Sequence, residues 1–191
     1  RFVKKADIKL KLSFRMGVKV LIIVSALLTV AALFTATFVG SKPEKVVKNF
    51  VKSIENSNSK LYYSLYDDNI IRYKTDNRYF GEDETFKQTV IAMEESDRFY
   101  TEKCGEDYKL NYYITANRTL DDAELEAFKG VLEGSFGYVE APSRVDVLSI
   151  EVLATGKQGE YKSVYNDFWC MKIKGHWYKV DKTIYTEYLK S

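Results

Sequence analysis

The chain has 191 residues, 15 % of them aromatic and only two of them proline, and a net charge of +2. That is enough for one ordinary domain plus an appendage, and it excludes chain-wide disorder, collagen-like repeats and low-complexity architecture. The near-neutral total hides a division: residues 1–19 carry seven Lys/Arg and one Asp, residues 20–40 carry no charge, and residues 41–191 carry 22 basic against 26 acidic groups. The basic excess belongs to a short N-terminal stretch, so no nucleic-acid partner is expected.

Residues 20–39 read VLIIVSALLTVAALFTATFV, uncharged and mostly apolar. Twenty such residues rise about 30 Å as a helix, the thickness of a bilayer core, with every backbone polar group bonded inside the helix. No good small-x-small pair closes the run and no cysteine follows it, which argues against a cleaved signal and against a lipoprotein. The expectation is a transmembrane helix over 20–40, with the lipid bilayer as first partner. The Lys/Arg excess before it places residues 1–19 in the cytoplasm and residues 41–191 outside.

The outer domain begins with helical signals. Ser41 and Glu44 fit a capping box, Pro43 falls in the first turn, and Val46, Val47, Phe50, Val51 and Ile54 recur at helical spacing. A shorter helix is predicted over about 60–66, a loop over 67–81, and a third helix over about 83–100. The period then changes to two: Leu110, Tyr112, Ile114 and Ala116 alternate with polar neighbours and predict a strand. A helix follows, capped by Thr119 or Asp121, with Leu125, Phe128 and Leu132 on one face. Three runs at 144–155, 160–173 and 176–181, joined by TGKQG and KG, read as consecutive antiparallel strands, and residues 183–190 as a last turn of helix. The fold class is α+β: three helices, a strand, a helix and three antiparallel strands.

FWCMKIKGHWYKVDK, residues 168–182, holds both tryptophans, the only histidine and one of two cysteines. With Lys174–Gly175 as the turn, Ile173 faces His176, Met171 faces Tyr178 and Trp169 faces Val180 on one side of the hairpin. Phe168, Cys170, Lys172, Trp177 and Lys179 share the other. The crowding then reads as a cross-strand ladder that fixes helices to the sheet, with His176 half exposed at the turn. Cys104 and Cys170, 66 positions apart and beyond the membrane, are expected to pair as a disulfide, closing a loop worth up to about 4 kcal/mol. The acidic groups lack the spacing of a calcium loop, and one His with two Cys matches no zinc pattern. No phosphate-cradling loop or nucleophile–base arrangement appears. No metal, cofactor or catalytic residue is therefore expected.

The helix PEKVVKNFVKSIENSNSKLYYSLY, two further helical segments and the closing G-x-W-Y-x-V-D, here Gly175, Trp177, Tyr178, Val180 and Asp181, resemble the membrane-tethered nuclear transport factor two-like domains found outside Gram-positive bacteria. The resemblance covers about residues 43–182. It implies a curved sheet wrapped around helices as a cone with a pocket at its open end, a shape that hosts enzymes, binding modules and scaffolds alike. Catalytic members carry a carboxylate or His inside the cone; Asp146 reads instead as solvent-facing. The expected function is a non-catalytic, single-pass membrane protein displaying a binding domain to a protein partner at the cell envelope. Tyr112, Trp169, His176, Trp177 and Tyr178 are the candidate pocket or interaction residues. The layout also resembles bitopic scaffolds of type IV secretion, so a scaffold subunit of a secretion or transport complex is the alternative. A small-molecule enzyme using the cone is the second alternative.

Overall fold

The computed structural model describes residues 42–76 and 82–191. The basic segment and the predicted transmembrane run lie outside the described residues. Within them no helix is long and apolar enough to cross a membrane.

Helix α1 (Pro43–Glu55) buries Val46, Val47, Phe50, Val51 and Ile54, the stripe its spacing predicts. Its cap is Lys42, whose side chain makes no capping bond, and Ser41 of the expected Ser41–Glu44 box lies outside the described residues. Pro43 takes the first helical position, where its missing N–H costs nothing because that group would have no partner inside the helix. Asn58 then caps the short α2 (Ser59–Tyr63) by accepting from the Leu61 amide at 2.9 Å.

Residues 67–81 are not a plain loop. Asp67 accepts from the Asn69 amide at 2.9 Å and from its side chain at 2.7 Å, opening α3 (Asp68–Asp76). Only Ile70 is fully buried there, which is why the polar sequence conceals the helix. Helix α4 (Glu82–Cys104) leads to β1 (Lys109–Thr119). Helix α5 (Asp122–Phe136) is started by Asp121, with the reciprocal Asp121–Glu124 capping box in place. Strands β2 (Arg144–Gly156), β3 (Gly159–Ile173) and β4 (His176–Lys179) follow, and then α6 (Lys182–Tyr188), capped by Asp181.

The class is thus α+β, with six helices among the described residues and one antiparallel sheet ordered β1-β2-β3-β4. The closing hairpin has the register derived from its turn: Ile173 opposite His176 and Met171 opposite Tyr178, with the Val180 amide donating to the Trp169 carbonyl at 2.8 Å. Both turn residues have positive φ, +48° at Lys174 and +83° at Gly175, as a type I′ turn demands.

The two faces of that hairpin serve two cores. Phe168 and Cys170 join Val47, Phe50, Leu148, Ile150 and Val152 under α1 and α4. Trp169, Met171 and Val180 join Ile70, Phe128, Leu132 and Ile184 on the opposite face, with α5 and α6. Each such side chain removed from water contributes roughly 1.5–3 kcal/mol, so the hairpin is the element both layers depend on. Among the described residues, the second face is covered only at that end. Farther along, the cross-strand row Tyr113–Glu151–Val164 faces solvent, Tyr113 at 58 % and Val164 at 52 % exposure.

The expected disulfide is absent. Cys104 and Cys170 are both free and buried. Cys104 Sγ lies against the Ala154 carbonyl at 3.7 Å, whereas Cys170 pairs with Asp146, eight positions earlier on β2. At about 3.3 Å per residue that separates them by roughly 25 Å, far beyond the ~7 Å Cα spacing a disulfide tolerates. Burial also pushes the Cys170 thiol well above its usual range, leaving it inert.

Candidate functional site

A cavity of about 550 Å³ opens between α2, α3, α4 and the start of α6. Tyr62, Tyr63 and Tyr66 form one wall, and Ile70, Ile71 and Lys74 of α3 form the second. Gln88, Thr89 and Ala92 of α4 form the third, and Asp181 closes the end. The tyrosines are brought together by α2 and the turn after it, where positions 62 and 66 fall one above the other. Their rings meet edge to face at 5.8 Å.

The polar atoms form a directed chain. Lys179 Nζ donates to the Tyr66 hydroxyl at 3.2 Å, and the Tyr66 hydroxyl donates to that of Tyr62 at 3.3 Å. Two ammonium groups lie over the Tyr66 ring, Lys179 at 5.1 Å and Lys74 at 5.8 Å from its centroid. Lys74 also reaches Asp181 at 2.5 Å, tying α3 to the cap of α6. Asp181 Oδ1 meanwhile accepts from the Thr183 amide at 2.9 Å.

Burial alone would raise the Asp181 pKa, but the Lys74 charge, with hydrogen bonds from Lys74 and Thr183, outweighs it and holds the carboxyl below the ordinary aspartate range. Burial pushes the Tyr66 phenol up to about 12 and Tyr62 higher still, the neighbouring Tyr66 adding to the Tyr62 shift. Both phenols are therefore neutral donors at physiological pH.

The residues singled out from sequence lie elsewhere. Trp169 is 4 % exposed and stacked between Phe128 at 6.0 Å and Tyr185 at 5.7 Å. Tyr178 is half-buried in the same core, Tyr112 half-buried in the other, and His176 is exposed at the turn. Trp177 is half-buried, and the Arg144 guanidinium sits 5.8 Å from its ring centroid. None of the five lines the cavity.

Asp146 is not solvent-facing but fully buried. It accepts from Arg144 Nε at 2.7 Å, Arg144 Nη2 at 3.0 Å and Thr119 Oγ1 at 2.9 Å. A partner two residues away on the same strand lets the carboxylate go under with its charge matched. The cavity residues sequence reading missed had two signals: the i, i+4 tyrosines of KLYYSLY, and Asp181 at the end of the quoted closing motif.

No protein-family model, curated protein or solved structure matches this chain.

Proposed function

We propose that residues 42–191 form a non-catalytic binding module of the nuclear transport factor two-like kind, displayed beyond a membrane by a single N-terminal span. The observation that carries this reading is the aromatic filling between α1 and the sheet. Phe50 meets Phe168 at 5.1 Å, Tyr165 at 5.6 Å and Tyr62 at 6.0 Å, occupying the space where a cone enzyme would keep its substrate. The buried carboxylates support the same conclusion. Asp146 is saturated by Arg144 and Thr119, and the Lys74 charge holds the Asp181 carboxyl below the ordinary aspartate range, away from a proton-exchanging role near neutrality.

Among the described residues, the tyrosine-lined cavity and the exposed sheet row at Tyr113 and Val164 are open for contact. Both suit recognition, and the charge division of the chain supplies the orientation. The test places one epitope before residue 1 and another after residue 191 and treats intact cells with protease. Loss of the C-terminal epitope with survival of the N-terminal one is expected. A C-terminal epitope digested only after permeabilisation sinks the display reading.

A further inference from the structure

The hydrogen bonds from Lys179 through Tyr66 to Tyr62 run in one direction. An ammonium group has no lone pair to accept with, so Lys179 can only donate to Tyr66. Tyr66 passes its own hydrogen to Tyr62. The Tyr62 hydrogen is then the end of the chain, on the cavity wall, and what it needs is an acceptor. Among the described side chains two cations, Lys74 and Lys179, and one anion, Asp181, stand around it, a balance of +1 for these three groups. The opposite walls are mixed, with Ile71 and Ala92 offering apolar surface beside Gln88 and Thr89. An incoming cation would meet two ammonium groups. A phosphate would lack the fan of backbone amides such groups ordinarily use.

We propose that this cavity binds a carboxylate carried on an apolar or aromatic body, the carboxylate taking the Tyr62 hydroxyl and the Lys74 ammonium and the body lying against Ile71 and Ala92. This rests on the binding-module reading and names its ligand class. The carboxylate belongs either to a free organic acid or to the C-terminus of a peptide; the chemistry recognised is the same. A carboxylate there converts the Tyr62 end of the relay into a charge-assisted hydrogen bond, stronger than the neutral bonds behind it. Lys74 turns from Asp181 alone to a shared position between two carboxylates, while Asp181 keeps its bond from the Thr183 amide.

The experiment titrates the full chain in mild detergent, by calorimetry, with four probes: 3-phenylpropionate, N-acetyl-phenylalanine, N-acetyl-phenylalaninamide and 3-phenylpropylamine. At least one acid is expected to bind at millimolar concentration or below, the amide about tenfold more weakly than its parent acid, and the amine not at all. Equal binding of the two acids identifies a free acid as sufficient; binding of the acetylated acid alone identifies a peptide terminus. Tyr62→Phe keeps the ring and removes the donor, and should weaken the acids about tenfold while leaving the amide unchanged. Should Tyr62→Phe not fold, Ala92→Trp serves instead: position 92 is exposed on α4, and the larger side chain should fill the space and abolish acid binding. The proposal is overturned if the amide or amine matches the acids, if Tyr62→Phe or Ala92→Trp binds them undiminished, or if neither acid releases heat at millimolar concentration. Acid binding by a chain whose C-terminus is protected in intact cells would retain this inference and lose the display reading. The reverse pattern would retain display and remove the ligand.

Discussion

Replacing Gly156 by alanine should be among the most damaging single-methyl changes in this domain, and the reason is one close approach. A Cβ built there lies 2.1 Å from the Cys104 carbonyl oxygen and 2.9 Å from its carbon. The last turn of α4 rests directly on the end of β2, and the carbonyl is not free to swing away. It accepts the Gln158 amide at 3.0 Å and so closes the β2–β3 turn. Relieving the clash requires the helix end to retreat by more than an ångström. That movement sacrifices the hydrogen bond, about 1 kcal/mol, and adds overpacking strain of about 1–3 kcal/mol. The expected destabilisation is therefore about 2–4 kcal/mol. Gly134→Ala is the control, because it is the same chemical change with the opposite sign. Position 134 lies inside α5 with nothing within 4 Å of a new Cβ, so alanine should stabilise by about 0.5–1 kcal/mol. Urea unfolding followed by tryptophan fluorescence reads both, since Trp169 and Trp177 sit in the sheet that unfolds. A Gly156→Ala midpoint within about 0.5 kcal/mol of the parent would refute the packing argument, as would a destabilised Gly134→Ala.

Three further outcomes follow from the same geometry. Ellman titration without reductant should find both thiols slow in the folded chain and two equivalents after unfolding; none after unfolding would restore the disulfide. Because the Asp181 pKa is lowered on folding, its contribution is fully present above its unfolded value, near 3.8, and is lost as the pH falls through the lower native value. Asp181→Asn should cost about 1–3 kcal/mol at neutral pH and flatten the acid limb of the stability profile, and an unchanged limb would refute the Lys74 pairing. Arg144→Met strands the buried Asp146 carboxylate and should cost about 3–5 kcal/mol, while Arg144→Met with Asp146→Leu should recover most of that; a double variant no better than the single would show the charge is not what matters.

Strongly patterned elements were legible in the sequence because one face of each is buried. Helix α1 shows its five-residue stripe, and the closing hairpin shows its register through a two-residue turn that leaves little choice. Helix α3 was not legible: it buries a single isoleucine, and its start signal is an aspartate that reads equally well as loop. The supposed disulfide failed for a different reason. Sequence spacing counts residues along the chain, whereas the thiols are separated along β2, a direction that only the register of β3 on β2 reveals. Asp146 was misread because alternation assigns it a face without saying that Arg144, two residues away, would cover it.

The cavity was invisible for a reason built into the topology. The sheet carries a core on each face, and the chain must pass from one to the other around its β4 edge, a strand of only four residues. Residues after α2 make that passage: the Leu65 carbonyl accepts the Lys179 amide at 2.7 Å, covering the outer edge of β4 that would otherwise be left unpaired. Tyr66, the next residue, packs against both cores at once. At such a seam neither core can close completely, because the backbone crossing it needs polar partners and the side chains facing it belong to two separate apolar sets. Lys74 pairs there with Asp181, and Lys179, two residues before Asp181, donates to the Tyr66 hydroxyl, so side chains far apart in the chain fill the seam with polar bonds. In the sequence Lys74 falls in a stretch that reads as loop, Lys179 on the mixed face of the hairpin and Asp181 at the end of the closing motif. Only the crossing brings them together, so the site is a property of how the chain rounds the sheet and not of any one segment.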